Sequence, residues 1–209
     1  EAEALHGRGA ALNDLRRRFQ DYLVQGRFIC TTAGDLPSGI VRTEYLHPDG
    51  QRVLQEGLDR PHGFDFADGQ LYVGEGSAIA RIGFEEGADG LRTRGEPTRI
   101  VQGLPEGENH WTRTVRVGPD GMLYLTLGSS CNVCLEKDPR RAAMVRYAID
   151  GSGEEIYASG LRNSVGFDWR PGTDELYATD NGRDLLGDDI PPCELNRIER
   201  AAFYGWPFA

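Results

Sequence analysis

Three segments of the chain open with polar side chains that can do chemistry. They are His62 in "RPHGFDF", His110 in "NHWTRTVRV", and Arg162 with Asn163 in "GLRNSVGFDW". An imidazole titrates near neutral pH and can bind a metal ion, and a guanidinium keeps its positive charge. By residue type alone, each also has a plain structural role, as a histidine bonded to backbone or as a surface ion pair. The choice depends on whether the fold brings these side chains together.

The elements that carry these residues repeat along the chain. Each segment continues as a predicted strand of alternating apolar and polar residues and then a Gly-containing turn. A second strand follows and begins with Leu-Tyr, at Leu71, Leu123 and Leu176. Successive Leu-Tyr pairs are 52 and 53 residues apart. A Gly-Leu pair follows a strand-like stretch at Gly57, Gly103 and Gly160. Such a long, regular period of strands and turns is typical of a β-propeller with four-stranded blades.

In a propeller, the starts of the innermost strands gather at one end of a central channel, so we expect the four polar side chains near a common axis. The alternative is a β-sandwich, of which so regular a period is not typical. Three clear repeats and a partial fourth suit only part of a ring, because an open ring exposes strand edges. We therefore expect an all-β chain that forms part of a larger propeller.

The N-terminal residues do not follow this pattern. The spacing of Leu12, Leu15, Phe19 and Tyr22 predicts a short amphipathic helix over residues 9–24. We divide the chain into an N-terminal helix and extension, residues 1–25, and a partial propeller, residues 26–209. No apolar run of about 18 residues predicts a transmembrane helix, and no export signal is visible at the N-terminus.

The composition is that of a globular protein, with 39% hydrophobic and 27% charged residues. The formal net charge is −10, from 23 basic and 33 acidic residues. This balance argues against nucleic acid or an anionic membrane as the default partner.

Cys131 and Cys134 form a C-x-x-C pair, which suits a redox pair, half of a zinc site or a local disulfide. A second C-x-x-C is missing, which argues against structural zinc. The pair leads from a strand into a polar loop, whereas a thioredoxin-like pair would lead into a helix. We favour a disulfide that staples the loop of an exported protein.

Several motifs, taken in order, resemble those of one family. "DRPHGFDF", "NHWTRTVRVGPDGMLYLTLGSSCNVC", "DPRRA", "GLRNSVGFDW", "DNGRD", "ELNRI" and "FYGWP" are similar to motifs of the soluble glucose/sorbosone dehydrogenases, closest to the sorbosone dehydrogenase-like branch. The resemblance covers about residues 48–207. Members of this family are six-bladed propeller quinoproteins that use pyrroloquinoline quinone (PQQ) and calcium. The resemblance implies that the chain forms roughly the first half of such a ring, three to four blades.

The resemblance implies catalytic roles for two residues. His110 would be the general base that takes the proton of the substrate hydroxyl as hydride leaves for the quinone. Arg162 would stabilise negative charge that develops on the reduced quinone. Asn109 stands where the glucose enzymes carry an acidic partner for this histidine, and a neutral amide would not raise the pKa of His110 as a carboxylate would.

The resemblance also implies the contacts of the cofactor and the metal. The residues that would contact PQQ are His62, Asn109, Arg162, Asn163 and Asn181. The backbone carbonyls of Gly182 and Arg183, in "DNGRDLLGDD", would bind calcium, which prefers oxygen ligands. Cys193 precedes Glu194 where the related pattern has an acid, which weakens the negative charge near this loop.

The resulting hypothesis is a periplasmic or secreted PQQ-dependent sugar dehydrogenase. It would oxidise an aldose or a sorbosone-like sugar aldehyde and pass electrons to an external acceptor, such as a cytochrome. We expect this chain to be inactive in isolation, because the cationic groups that hold the cofactor's carboxylates come from later blades of the family's ring. Two alternatives stay open, a metal-dependent lactonase on a propeller and a non-catalytic propeller that serves as a binding module.

Overall fold

The computed structural model describes residues 28–31, 41–47, 50–87, 90–107, 109–187 and 190–208. Throughout these residues the chain forms strands joined by turns and loops, as the all-β prediction requires. The predicted helix over residues 9–24, and the boundary drawn at residue 25, lie outside the described residues. In the part that is described, no helix has both the length and the apolar character needed to cross a membrane.

Fifteen strands occur in the described ranges. They are β1 (Phe28–Thr31), β2 (Val41–His47), β3 (Gly50–Leu58), β4 (Phe64–Ala67), β5 (Gln70–Gly74), β6 (Ala78–Gly87), β7 (Gly90–Gln102), β8 (Arg113–Val117), β9 (Leu123–Leu127), β10 (Ala143–Tyr147), β11 (Glu155–Ser159), β12 (Phe167–Trp169), β13 (Leu176–Asp180), β14 (Glu194–Ile198) and β15 (Ala202–Phe203).

These strands form four sheets in chain order. Sheet 1 contains β1 to β3, sheet 2 contains β4 to β7, sheet 3 contains β8 to β11, and sheet 4 contains β12 to β14. Neighbours within each of these sets are antiparallel, and β15 returns to pair with β11 in parallel at the edge of sheet 3. Consecutive meander sheets are the blades of a propeller. The prediction of an all-β chain with three to four blades is confirmed.

The hydrophobic core lies between successive sheets. One cluster joins sheets 1 and 2 around Leu58 and Leu71, a second joins sheets 2 and 3 around Ile79 and Leu125, and a third joins sheets 3 and 4 around Tyr124 and Leu176. Because each inner sheet is covered on both faces, strand β9 is buried at all five positions. This double coverage explains why "LYLTL" reads as a continuous apolar run instead of an alternating one.

Local turn chemistry accounts for the repeated motifs. In the β4–β5 hairpin, Asp68 and Gly69 both have positive φ values, 49° and 71°, as a two-residue Asp-Gly turn requires. The glycines of the three repeated Gly-Leu pairs, Gly57, Gly103 and Gly160, also have positive φ values, and the leucine after each is buried. Each pair therefore makes the same turn, which leads the chain from the outer edge of one sheet to the inner strand of the next.

The inner strands meet at their starts, which is what positions the site. The Gly63 N–H donates to the Arg113 carbonyl over 2.9 Å. A Cβ on Gly63 would lie 2.6 Å from the Cα of Thr114, so only glycine allows β4 and β8 to approach this closely. The hydroxyl of Thr114 in turn donates to the carbonyl of Val165, just before β12. The three repeat starts are thereby joined across sheets 2, 3 and 4.

Candidate active site

His110 lies in a strained turn just before β8. Its φ is 45°, a left-handed conformation that is uncommon for a residue with a Cβ and that costs free energy. Buried Arg113 stabilises this turn, since its Nη1 donates to the His110 carbonyl over 3.2 Å and to the Thr112 carbonyl over 2.9 Å. Backbone strain of this kind is concentrated at functional sites, because elsewhere nothing opposes its relaxation.

The hydrogen bonds of the His110 ring determine its tautomer. Nδ1 lies 2.9 Å from the carbonyl oxygen of Ser129 and 2.9 Å from the Ser129 hydroxyl. A carbonyl can only accept, so in the neutral ring the proton must be on Nδ1, and Nε2 keeps its lone pair. The Ser129 hydroxyl donates to the Cys131 carbonyl over 2.7 Å and is therefore free to accept from Nδ1. Nε2 is the basic nitrogen of this ring.

The surroundings of His110 favour its neutral form. Burial lowers the pKa of the imidazole below its ordinary value, and the positive charges of Arg162 and Arg141 lower it further. The bond to Ser129 and the charge of Asp184 act in the opposite direction without reversing the result. The lowered pKa therefore favours the neutral imidazole, the form that can accept a proton.

Asn163 and His110 are brought together over Gly128. A Cβ built on Gly128 would lie 2.4 Å from the Cβ of His110 and 2.7 Å from the Oδ1 of Asn163. Gly128 follows β9, so the end of one strand separates the starts of two repeats. Of the four side chains predicted to lie near a common axis, His110 and Asn163 are thus brought together at Gly128.

Arg162 is buried, and its guanidinium is bonded to other parts of the chain. Nε donates to the Asn132 carbonyl (3.1 Å), Nη1 to the carbonyls of Asn181 (3.1 Å) and Gly182 (2.7 Å), and Nη2 to Asn132 Oδ1 (2.8 Å) and Asp184 Oδ2 (2.8 Å). A guanidinium has five N–H donors, so all of them are used. Arg162 therefore connects its own loop to the loop of Asn132 and to the 181–184 loop, and it acts on its surroundings as a fixed positive charge.

Asp180, the last residue of β13, holds the backbone that presents Arg162 and Asn163. Its carboxylate accepts the backbone N–H of Arg162 (2.8 Å), the backbone N–H of Asn163 (2.6 Å) and the Ser164 hydroxyl (3.2 Å). Burial raises the pKa of this carboxyl, although the two backbone donors oppose the shift. Asp180 is thus a structural anchor of the site.

The residues predicted to bind calcium lie beside Arg162. A cavity of about 70 Å³ is lined by Arg162, Asn181, Gly182, Arg183 and Glu194, among others. The Gly182 carbonyl already accepts from the Arg162 guanidinium, which places a positive charge where a cation would have to bind. Calcium requires six to eight oxygen ligands, and across the described residues no group of three carboxylates gathers at this loop. In this arrangement the Arg162 guanidinium opposes a cation at the Gly182 carbonyl, and calcium binding by Gly182 and Arg183 stays a prediction.

Two further predicted cofactor residues lie close to His110. His62 packs edge-on against Trp111, with ring centroids 6.0 Å apart, and its buried Nδ1 has no hydrogen-bond partner in the described part of the chain. Burial lowers the pKa of His62 as well. Asn109 is exposed and donates from Nδ2 to the Ser130 carbonyl over 3.3 Å. The partner of the His110 ring is therefore Ser129, and Asn109 instead contacts the loop that follows β9.

Two of the cysteines form the local disulfide that the sequence predicts. Cys131 and Cys134 form a disulfide that closes the loop after β9. Cys193 is a free, exposed thiol whose Sγ lies 4.0 Å from Asn181 Oδ1.

Comparison with known proteins identifies the family. The sequence model of the Glucose / Sorbosone dehydrogenase family matches residues 67–209. The chain belongs to this family. It is also 34% identical over 165 residues to an uncharacterized protein of Borreliella burgdorferi, an alignment that covers 75% of this chain and 43% of that protein. The resemblance inferred from "NHWTR", "GLRNSVG" and the other motifs is confirmed.

Solved structures of similar fold are sugar dehydrogenases. One is the holo form of the pyranose dehydrogenase PQQ domain from Coprinopsis cinerea, with a TM-score of 0.66 and 19% identity over 86% of this chain and 53% of that one. Another is the PQQ-bound aldose sugar dehydrogenase of Streptomyces coelicolor, with a TM-score of 0.60 and 23% identity over 83% of this chain and 61% of that one. The chain thus spans roughly half the length of the proteins it matches, and it shares their propeller fold.

Proposed function

We propose that this chain supplies the general base and part of the quinone-binding surface of a PQQ-dependent sugar dehydrogenase. The observation that supports this most directly is the tautomer of His110. Its Nδ1–H is bonded to the Ser129 carbonyl, which leaves a lone pair on Nε2 at a place where three repeat starts meet. The substrate would be an aldose or a sorbosone-like sugar aldehyde.

Properties of the described residues fit a quinone that carries carboxylates. Positive charge is concentrated beside His110, because Arg113, Arg141 and Arg162 are all buried there. Arg141 uses Nη1 for the Gly128 carbonyl, whereas its buried Nη2 has no partner among the described residues. Unpartnered buried donors are costly, and an anionic ligand would satisfy them. Gly128, which has no side chain, allows His110 and Asn163 to pack closely against the end of β9.

The proposed mechanism assigns one proton transfer to this chain. The hydroxyl on the reacting carbon, which is the anomeric hydroxyl of a cyclic aldose or one hydroxyl of a hydrated aldehyde, would donate its proton to Nε2 of His110, while the hydrogen on that carbon leaves with its electron pair. The quinone, when bound, supplies the two-electron acceptor for that hydride. Ser129 holds the imidazole in the required tautomer, and the charge of Arg162 favours the neutral ring before transfer. Asn163, which packs against Gly128 beside His110, would help to orient the quinone.

Calcium is part of the hypothesis drawn from the family, but no step is assigned to it here. The carbonyl of Gly182 is occupied by Arg162, so binding at Gly182 and Arg183 would require the guanidinium to release it. Chelation tests this point. If a calcium chelator abolishes activity and added calcium restores it, the active protein binds calcium, either with the 181–184 loop rearranged or at another position.

We also propose that the protein is exported to the periplasm or secreted. The Cys131–Cys134 disulfide supports this, because disulfides persist in oxidising compartments. An external acceptor, such as a cytochrome, would then receive the electrons.

A substitution of His110 tests the proposal in the full-length protein. With added PQQ and a panel of aldoses, sugar-dependent dye reduction by His110→Ala should fall about 10²- to 10⁴-fold, the usual contribution of a positioned base. Added imidazole should restore part of the activity. His47→Ala, on β2 in sheet 1, serves as the matched control. Undiminished dye reduction by His110→Ala would falsify the role of this residue.

The same assays separate the other candidate functions. A lactonase would hydrolyse lactones without PQQ, and a binding module would reduce no dye under any condition. Neither has a specific observation in its favour, since the repeat starts present His, Arg and Asn where a lactonase would use carboxylates.

A further inference from the structure

The disulfide loop after β9 contacts the 181–184 loop through one side chain. Asn132 Oδ1 accepts the backbone N–H of Asp184 over 2.8 Å, and Asn132 Nδ2 donates to the Asp184 carbonyl over 3.0 Å. The carboxamide thus pairs with both backbone groups of one residue, as a neighbouring strand would. The two residues are 52 positions apart in sequence, so this pairing fixes one loop on another.

The same residue also fixes Arg162. Asn132 Oδ1 accepts from Arg162 Nη2 over 2.8 Å, and the Asn132 carbonyl accepts from Arg162 Nε over 3.1 Å. The indole N–H of Trp206 lies 3.4 Å from that carbonyl and approaches it from the other end of the described chain. Asn132 is therefore bonded to the guanidinium and to the loop that the guanidinium also holds.

The loop that carries Asn132 is closed on itself. The Cys131–Cys134 disulfide brackets Asn132 and Val133. Glu136 closes the loop further, because its carboxylate accepts the Ser130 N–H (2.6 Å) and the Ser130 hydroxyl (2.7 Å). A side chain on a cross-linked loop loses less conformational entropy when it binds a partner than one on an open loop. The short cross-link and the carboxylate thus prearrange Asn132 for its contacts.

We propose that Asn132 is a positioning residue, through which the disulfide loop holds Arg162 and the 181–184 loop in the arrangement that receives the quinone. This inference rests on the proposed function. Asn132 itself need not touch the cofactor, since its carboxamide is already bonded to Arg162 and Asp184. It acts as the outer partners of a metal site act, by orienting the groups that make contact.

The test compares three variants of the full-length protein. Asn132→Ala removes all three side-chain hydrogen bonds. Asn132→Asp keeps the acceptor for Arg162 and for the Asp184 N–H but loses the donor to the Asp184 carbonyl. Val133→Ala is the matched control, because this exposed side chain lies in the same disulfide loop. Hydrogen–deuterium exchange of the peptide spanning residues 181–187 is measured without cofactor, and the Kd for PQQ is measured by equilibrium dialysis.

We expect faster exchange over 181–187 in Asn132→Ala than in Val133→Ala, and a Kd for PQQ weakened by roughly 10- to 100-fold, as when an outer-shell partner is lost. In both measurements, Asn132→Asp should give values between those of Asn132→Ala and Val133→Ala. If Asn132→Ala does not fold, the comparison of Asn132→Asp with Val133→Ala tests the positioning role. Exchange equal to that of the control would overturn the positioning role. Faster exchange with unchanged PQQ affinity would overturn its link to the cofactor.

Failure of the proposed function gives a different result. If the wild-type protein binds no PQQ, the quinoprotein proposal is refuted and the link to the cofactor falls with it. The exchange comparison then still shows whether Asn132 holds the 181–184 loop.

Discussion

Substitution of Gly128 by alanine tests the site geometry most directly. The φ of Gly128 is not in the left-handed region, so alanine is compatible with the backbone, and the effect is steric. The new Cβ would lie 2.4 Å from the Cβ of His110 and 2.7 Å from Asn163 Oδ1. Carbon atoms pack at about 3.5–4.0 Å, so we expect the imidazole or the β9 terminus to move by roughly 1 Å.

The magnitude follows from the precision that proton transfer requires. A displacement of about 1 Å can cost on the order of 100-fold in rate, which corresponds to about 2.7 kcal/mol in activation free energy. We therefore expect kcat/KM of Gly128→Ala, measured by PQQ-dependent dye reduction with an aldose, to fall about 100-fold. The melting temperature, measured on the same samples, separates this loss from unfolding.

Gly166→Ala is the matched control for this experiment. Its φ also lies outside the left-handed region, and its new Cβ would meet only the Thr179 hydroxyl, at 3.2 Å. The control should keep wild-type kcat/KM within about twofold, since a hydroxyl can rotate away. If Gly128→Ala matches the control and remains folded, the close packing of His110 and Asn163 over Gly128 does not serve catalysis, and the proposed mechanism is refuted.

Three further predictions concern titration and stability. Because burial and nearby guanidinium groups lower the pKa of His110, the acidic limb of the kcat/KM profile should lie below about pH 6.5; a limb above that value would contradict the assigned electrostatics. Glu75→Ala should lower the free energy of unfolding by about 2 kcal/mol, because it leaves the Asp59 N–H and the partly exposed Arg99 without their buried acceptor. Urea denaturation measures this change, and an unchanged midpoint would contradict the prediction. Leu125→Ala, at a fully buried position in β9, should cost about 3 kcal/mol by the same assay, and a loss below about 1 kcal/mol would show that the core between sheets 2 and 3 can collapse around it.

Sequence reasoning found the residues whose positions follow from the repeat. His110, Arg162 and Asn163 open equivalent strands, and the period alone predicts that equivalent strand starts meet near one axis. The turns were predictable for a similar reason, since Asp68-Gly69 has a local conformational preference that does not depend on the rest of the chain. Local chemistry and periodicity together were enough for the fold.

The residues that the sequence did not reveal act through contacts between distant loops. Ser129 follows β9 and reaches the His110 ring only because β8 and β9 pair in a particular register. Asp180 has a role as the acceptor for two backbone N–H groups of another loop, and Asn132 meets Asp184 across 52 residues. A serine or asparagine carries no signal of such a partner. The C-x-x-C of this loop predicted its disulfide, but only the structure shows which atoms of the loop contact Arg162 and Asp184.

Burial and charge would allow His110 to act as the proposed base although, among the described residues, no carboxylate bonds its ring. A carboxylate partner would stabilise the imidazolium and raise the pKa, whereas here Ser129 gives the same orientation without that charge. Arg141 and Arg162 then favour the neutral form. Because every N–H of Arg162 is already bonded, its effect on the imidazole and on a reduced quinone is that of a fixed charge. The neutral residue at position 109 is therefore compatible with the proposed base, since Ser129 orients the ring, and burial followed by the charges of the arginines lowers the pKa of His110.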